Sequence, residues 1–172
     1  MYKIFKQSGL TILEVIVSLG IVMVGMLGVA TLSQQNIVAQ NINKNSLLSA
    51  VLAQEAVELI RNKRDTNQWN NWDWLTGDGS NDTDILQDGT YVIQYDGSIY
   101  DTDDIDDTET QLYITPAGYY VHESSGNTAT SFRRLVTIID NTDYIDVVVE
   151  VQWNERGRNH EYEINTRLYD WW

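Results

Sequence analysis

Residues 10–32 read LTILEVIVSLGIVMVGMLGVATL, an apolar run of 23 positions interrupted by one charge, Glu14. A helix of that length spans a bilayer. The run exceeds the roughly 7 to 15 apolar residues of a secretory signal peptide, which points to an anchor that is retained rather than removed. After Leu32 the composition turns polar, yet no Pro or Gly occurs between residues 33 and 76, so one continuous helix is expected to run on. Its second half carries an apolar stripe at Leu48, Leu52, Ala56 and Leu59, flanked by Val51 and Ile60, with Gln54, Glu55, Glu58, Arg61 and Lys63 on other faces. From Leu10 to Arg64 such a helix has 55 residues. At 1.5 Å per residue it is roughly 80 Å long, more than a domain of this size can cover. Half of it is expected to project, which is stable only in a membrane or in a bundle of its own kind.

Further along, the hydrophobic period changes from helical to two. Ile145, Val147, Val149, Val151 and Trp153 alternate with Tyr144, Asp146, Val148, Glu150 and Gln152, and Tyr162, Ile164 and Leu168 alternate with Glu161, Glu163, Asn165 and Arg167. A preceding strand over Phe132 to Asp140 connects through Asn141-Thr142-Asp143, and the next turn spans Asn154 to Asn159 with Gly157. Weaker arms are expected at Tyr91 to Tyr95, Leu112 to Ile114 and Tyr119 to Val121. The expected fold class is α+β: a long N-terminal helix whose amphipathic half packs on an antiparallel sheet.

Charge narrows the partners. Eleven Lys and Arg against 25 Asp and Glu give a formal net charge of −14 over 172 residues, the opposite of a phosphate-binding footprint, so no nucleic acid is expected to bind through a basic patch. The absence of Cys removes disulfides, thiolate metal sites and a cysteine nucleophile together. Only His122 and His160 remain as imidazoles, neither in a metal or triad spacing, and nothing in the residues supports an enzyme. Lys3 and Lys6 precede the apolar run, while 12 acids lie between Asp73 and Glu109, so the N-terminus is expected on the cytoplasmic side of the cytoplasmic membrane and the C-terminal part on its outer side.

Two acidic stretches carry the only metal chemistry in view. DGSNDTDILQD (78–88) holds four acids and DGSIYDTDDIDDTE (96–109) holds seven. Oxygen ligands at alternate positions suit Ca²⁺, and Asp78, Asp82 and Asp84, with Asp101 and Asp103 from the second stretch, are the candidate ligands. Asp78, Ser80, Asp82 and Asp84 imitate the first half of a calcium loop, but its twelfth position is Gly89, so no EF-hand is formed. The competing reading is a pair of solvated loops kept extended by self-repulsion. No other cofactor is indicated. Trp69, Trp72, Trp74, Trp171 and Trp172 offer a stacking surface for sugars or another subunit, though such residues more often close a small core.

Glu14 remains to be explained, since a carboxylate in a membrane helix costs about 2.5 to 3.5 kcal/mol even on mild insertion scales. It stands five residues after Gly9, where the leader Lys6-Gln7-Ser8-Gly9 meets Leu10-Thr11-Ile12-Leu13-Glu14. Over residues 3–32 this chain resembles the type IV pilin and pseudopilin family. The resemblance implies a leader of residues 1–9 cut after Gly9 by a prepilin peptidase, N-methylation of Leu10, and a carboxylate at Glu14 that pairs with a neighbouring subunit's new ammonium, relieving each buried charge. Leu10 replaces the family's usual Phe, and the frequent Pro of the helix is absent, leaving Gly20, Gly25 and Gly28 as the positions of easiest bending. AQEAVELIRNKRD (53–65), followed by NQWNNWDW, is further similar to the PilV-like minor pilin subgroup.

The division implied is leader 1–9, membrane and filament-core helix 10–32, amphipathic helix 33–65, and an extracytoplasmic β domain over 66–172. The function implied is a structural subunit of a type IV pilus, held in the lipid bilayer before assembly and at the cell surface after it. Its implied partners are the prepilin peptidase, other pilin subunits and an inner-membrane assembly machine. A pseudopilin of a type II secretion or DNA-uptake system shares the mechanism. A membrane-anchored monomeric binding protein or adhesin needs no cut at Gly9, and a secreted protein cut after Ala30 conflicts with Glu14 and the short leader.

Overall fold

The structure, a computed structural model, describes residues 11–79 and 86–171. Within them one helix, α1 (Ile12–Trp69), precedes seven strands: β1 (Gly89–Ile93), β2 (Ile99–Asp101), β3 (Gln111–Ile114), β4 (Tyr120–Val121), β5 (Thr128–Asp140), β6 (Tyr144–Glu155) and β7 (Arg158–Tyr169). The chain divides into two units between Asn43 and Lys44. In the first, every α1 residue from Ile12 to Ile37 is exposed. The second is an antiparallel sheet with the C-terminal part of α1 packed on it.

Strand β5 organises the sheet. Along one edge it pairs with β6 from Phe132↔Trp153 to Asp140↔Ile145, and β6 pairs in turn with β7 from Glu155↔Arg158 to Tyr144↔Tyr169. Its other edge is shared end to end: β3 lies opposite Thr128 to Arg133, and β1 lies opposite Val136 to Ile138. Strand β2 extends β1, and β4 extends β3. The meander expected over 132–169 is present, with the two-residue turn Arg156-Gly157 at φ of 54° and 76°, both in the left-handed region a tight hairpin requires. Strand β2 was not foreseen. Its three residues open an acidic stretch, and Tyr100 and Asp101 are exposed, so it lacks an alternating pattern.

Phe132, Val136, Ile138, Ile145, Val147, Val149, Val151, Trp153 and Leu168 form the dry face, joined by Tyr91, Ile93, Ile99 and Leu112. Against it α1 buries Ser49, Leu52, Ala53, Ala56, Val57, Ile60, Arg64, Asn67 and Gln68. This stripe is rotated from the one expected. Val51 is exposed, and Leu48 and Leu59 are only partly buried. Small side chains at 49, 53 and 56 let the helix backbone approach the sheet, which side-chain hydrophobicity alone does not indicate. The helix also ends later than Arg64. Asn71 adopts φ 56°, its N–H donates to the Gln68 carbonyl (2.9 Å), and the Trp72 N–H donates to the Asn67 carbonyl (3.0 Å), a Schellman-type stop.

Where β1 and β3 part along β5, the fully buried Arg134 fills the junction. Its Nη2 donates to the Ile93 carbonyl (2.9 Å), and its Nη1 donates to the Leu52 carbonyl of α1 (3.1 Å) and to Glu55 Oε2 (3.1 Å). One guanidinium therefore ties helix, β1 and β5 together. Removing it leaves two buried carbonyls short of a donor, so Arg134→Met is expected to lower the unfolding free energy by about 3 kcal/mol. Arg134→Lys should rescue little, because an ammonium cannot span three divergent acceptors. Urea unfolding of the two variants beside the wild type measures both effects, and a Lys variant of wild-type stability would refute this account.

Candidate functional site

The resemblance to pilins rests on the start of α1. Gly9 and Leu10 lie outside the described residues. Thr11 precedes the first helical residue, and the Glu14 N–H donates to both its carbonyl (3.1 Å) and its Oγ1 (3.4 Å). Thr11 thus caps the helix, and the spacing Thr11-x-x-Glu14 is that of a capping box, with the acid in the first turn where the helix dipole favours it. The T-x-x-E spacing is legible in the sequence, although the sequence reading gave Glu14 an intermolecular role alone. Among the described residues, α1 is the one helix long and apolar enough to cross a membrane, and none of its apolar window is buried within the chain.

The second acidic stretch is arranged differently from the extended, self-repelling loop considered above. Asp82 and Asp84 lie outside the described residues, and Asp78 follows the turn 73–77 closed by the Asp73↔Gly77 bridge. Asp101 ends β2 opposite Tyr91, whose hydroxyl is pushed to a higher pKa by burial and then by Asp101 and Asp88. Asp103 sits in the next loop, which is tightly folded. Asp107 Oδ2 accepts from Thr102 Oγ1 (2.8 Å) and from the N–H groups of Asp103 (2.9 Å) and Asp104 (3.0 Å), and these bonds, Thr102's foremost, hold its carboxyl below the usual range. Arg133 Nη1 fastens the loop from the sheet by donating to the Asp107 (2.6 Å) and Ile105 (3.2 Å) carbonyls. Among the described residues no three His, Asp or Glu side chains are grouped to hold a metal ion.

Folding this loop over the outer sheet face brings Asp104 towards Glu150. That carboxyl is raised by desolvation, then by Glu161, Glu163 and Asp104, although a Gln152 hydrogen bond offsets part of it. Glu150 and Glu163 are direct cross-strand partners. His122, just after β4, is buried, its Nδ1 lies 2.8 Å from the Glu109 carbonyl, and its Nε2 has no partner among the described residues. Burial, and then the Arg134 charge, lower its pKa to about 3, so it is neutral.

The tryptophans divide between the two readings offered for them. Trp74 joins the core, and Trp153, also buried, stacks on His160 (5.3 Å). Trp69, Trp72 and Trp171 are exposed, which corrects the core reading for these three, and Trp171 lies under the Arg64 guanidinium (5.9 Å). Trp172 lies outside the described residues. The Schellman-type stop at Asn71 turns Trp72-Asp73-Trp74 back along the last turn of α1, where Asn67 Nδ2 donates to the Trp74 carbonyl (3.3 Å). Asp73 Oδ1 holds the turn by accepting from the Leu75 N–H (3.0 Å) and the Thr76 N–H (2.8 Å) and hydroxyl (3.0 Å), bonds that outweigh its partial burial and lower its pKa. A depression of about 330 Å³ results, lined by Gln68, Asn71, Trp72, Asp73, Trp74 and Asp170, and a second of about 280 Å³ also has Trp72 in its wall. Gln68 is buried, its Nε2 donates to Asp170 Oδ1 (2.8 Å), and its Oε1 has no partner among the described residues. Leaving such an oxygen unsatisfied costs about 1 to 3 kcal/mol.

No protein-family model matches the chain, and no curated protein or solved structure is significantly similar to it.

The buried His122 and the partly buried Glu150 have opposite effects on stability as pH falls. With its pKa depressed from 6.5 to about 3, His122 stabilises the fold fully above pH 6.5 and progressively less as the unfolded chain takes up a proton that the native state refuses. The slope from this residue is at most about 1.4 kcal/mol per pH unit. Glu150, raised in the fold, destabilises at neutral pH and ceases to do so once protonated. Replacing His122 by Asn is expected to flatten the decline in stability between pH 6.5 and 4, at some loss of stability at pH 7. Glu150→Gln should add about 0.5 kcal/mol at pH 7 by removing a like-charge cross-strand pair, with the gain disappearing below about pH 4. Thermal melts across that pH range measure both, and a Glu150→Gln gain that persists at pH 3 would contradict the electrostatic cause.

Proposed function

We propose that this chain is a structural subunit, of the minor pilin kind, of a type IV pilus, cut by a prepilin peptidase and assembled through its N-terminal helix. The observation that carries the reading is the combination at the start of α1. A capped helix exposes an apolar surface from Ile12 to Leu32 that none of the other described residues covers, and the only charge within it is Glu14. A surface of that kind requires lipid or other helices. A glutamate one turn into it requires either the membrane boundary or a cation from outside the chain. Cleavage after Gly9 supplies such a cation at the new amino terminus of each copy. The leader with Lys3 and Lys6 and the small residue at the cut complete the support, together with the α+β arrangement of the C-terminal unit.

An anchored monomer makes the opposite demand on Glu14, and this separates the two. In a lone membrane helix, Glu14→Leu removes a group costing about 2.5 to 3.5 kcal/mol and improves membrane residence. In a filament it leaves each neighbour's ammonium buried without a counter-charge, a loss of about 3 to 5 kcal/mol per contact. Co-expression with a prepilin peptidase is expected to give a chain beginning at Leu10 by mass spectrometry, and Gly9→Val to block the cut. Glu14→Leu should be cut normally, stay in the membrane fraction and fall sharply in the sheared-filament fraction. A mature chain beginning at Thr31, or equal incorporation of Glu14→Leu and wild type, would overturn the proposal.

A further inference from the structure

We propose that the free edge of β7 takes up an extended basic segment of another protein as an added strand, a role separate from that of the N-terminal helix. Among the described residues β7 pairs with β6 alone, so its other edge carries no ladder. The far edge of the sheet is cut short, since β2 has three residues and β4 two, whereas β7 runs for 12. Long edges are normally blunted by Pro, by a bulge or by a covering segment. Strand β7 contains no Pro, and its register with β6 is continuous from Arg158 to Tyr169. The two-residue turn makes Glu155↔Arg158 a hydrogen-bonded pair, so the even-numbered residues of β7 bond β6, and Asn159, Glu161, Glu163, Asn165 and Arg167 direct their N–H and C=O groups outwards. The Tyr169 carbonyl follows the same parity and accepts from Arg64 Nη1 (3.2 Å), which leaves the middle of the edge bare.

The two faces of this edge specify the occupant. On the core side the sheet is unfinished: Val149 and Val151 of β6 are wholly buried, but their β7 partners Ile164 and Tyr162, which pack on the same core, are only half-buried. Beside Ile164 a depression of about 350 Å³ opens towards Val57, Glu58 and Arg61 of α1, and an aliphatic side chain on the core side of an added strand enters it. On the outer side Glu163 lies opposite Glu150 and Glu161 opposite Gln152, and none of the three carboxylates forms an ion pair among the described residues. A Lys or Arg on the outer side of an added strand becomes the cross-strand neighbour of Glu161 or Glu163. It also relieves the like charges that, after desolvation, raise the Glu150 carboxyl. The occupant is therefore a strand with basic residues at alternate positions and aliphatic ones between them; main-chain bonds supply its affinity and the alternate side chains its selectivity. A second copy of this chain fits poorly. Antiparallel pairing of two β7 strands about a two-fold axis normal to the sheet reverses one α1 against the other, which two helices entering one membrane do not allow. Parallel pairing about an axis along the strands turns the sheets over and sets each copy's Tyr162 and Ile164 beside the other's Glu161 and Glu163.

The test uses the full chain in an uncharged detergent, with fluorescently labelled peptides of about seven residues read by anisotropy. A peptide alternating Lys and Val is expected to bind, less tightly as salt is raised. A peptide alternating Glu and Val, and one with the same Lys and Val gathered into blocks, should each bind at least about tenfold more weakly. Because the outward residues of β7 are the acidic ones, it is the Lys N–H groups of the added strand that face it. Methylation of the Lys backbone nitrogens should therefore abolish binding, and methylation of the Val nitrogens should spare it. Asn165→Pro, which removes an outward N–H without touching a bond to β6, should weaken binding by about tenfold. Glu161→Lys combined with Glu163→Lys should reverse the preference in favour of the Glu-Val peptide, a gain that an unfolded variant cannot show. The proposal is overturned if the Lys-Val peptide does not bind, if the block or Lys-methylated peptide binds equally, or if the doubly reversed variant keeps its preference for Lys-Val. A dimer that Asn165→Pro dissociates would also overturn it, by assigning the edge to a second copy.

Discussion

A single buried guanidinium holds the C-terminal unit together. Arg134 lies in the middle of the longest strand, at the place where two shorter strands share its edge and neither continues the ladder. A hydrophobic side chain there would fill the space but leave the carbonyls of Leu52 and Ile93 without the donor they now have. The charge is tolerable because Glu55 is partly solvated while Arg134 is not, so the pair keeps one foot in water. Burial and Glu55 act on the guanidinium in opposite directions, desolvation being the larger. The consequence is geometric as well as energetic. The position of α1 along the sheet is set by hydrogen bonds of defined direction, whereas the apolar stripe alone would permit sliding.

The sequence made the strands with one dry and one wet face plain. Ile145 to Trp153 and Tyr162 to Leu168 alternate cleanly because the sheet is covered on one side only, and their pairing followed from short turns. The length of α1 was visible from the absence of Pro and Gly. What the sequence hid has physical reasons. The helix face was misplaced by a fraction of a turn because Ser49 and Ala53 are buried for being small, not for being strongly apolar. Arg134 read as a charged residue on a strand, and its role depends on Leu52, Glu55 and Ile93, which are 82, 79 and 41 positions away in the chain. The acidic stretch 96–109 looked self-repelling, yet Asp107 gathers donors from the backbone of Asp103 and Asp104, a local bond pattern that charge counting ignores. The unpartnered Gln68 oxygen had no signal in the sequence at all.

The two halves of α1 therefore owe their stability to different things. Beyond Lys44 the helix is held by burial and by Arg134. Before it, among the described residues, there are intrahelical bonds, the Thr11 cap and the favourable placement of Glu14. An apolar helix without tertiary contacts draws its remaining stability from whatever surrounds it. This is the physical reason for seeking its partners in lipid or in further helices.

The order of the elements along the chain also sets a timetable for synthesis. The helix stripe is made first, but its cover is made last: Leu52 meets Arg134 across a separation of 82 residues, and β7 ends at Tyr169. At about 5 to 20 residues per second, the stripe waits roughly 4 to 16 s before the residue that clamps it has been translated. Through that interval Leu52, Val57 and Ile60 are bare, on a helix whose first 21 residues, Ile12 to Leu32, are apolar but for Glu14 and a few small polar side chains. A nascent chain of this topology needs its first segment placed in a membrane or held by a chaperone before the ribosome has finished the domain that will bury the second.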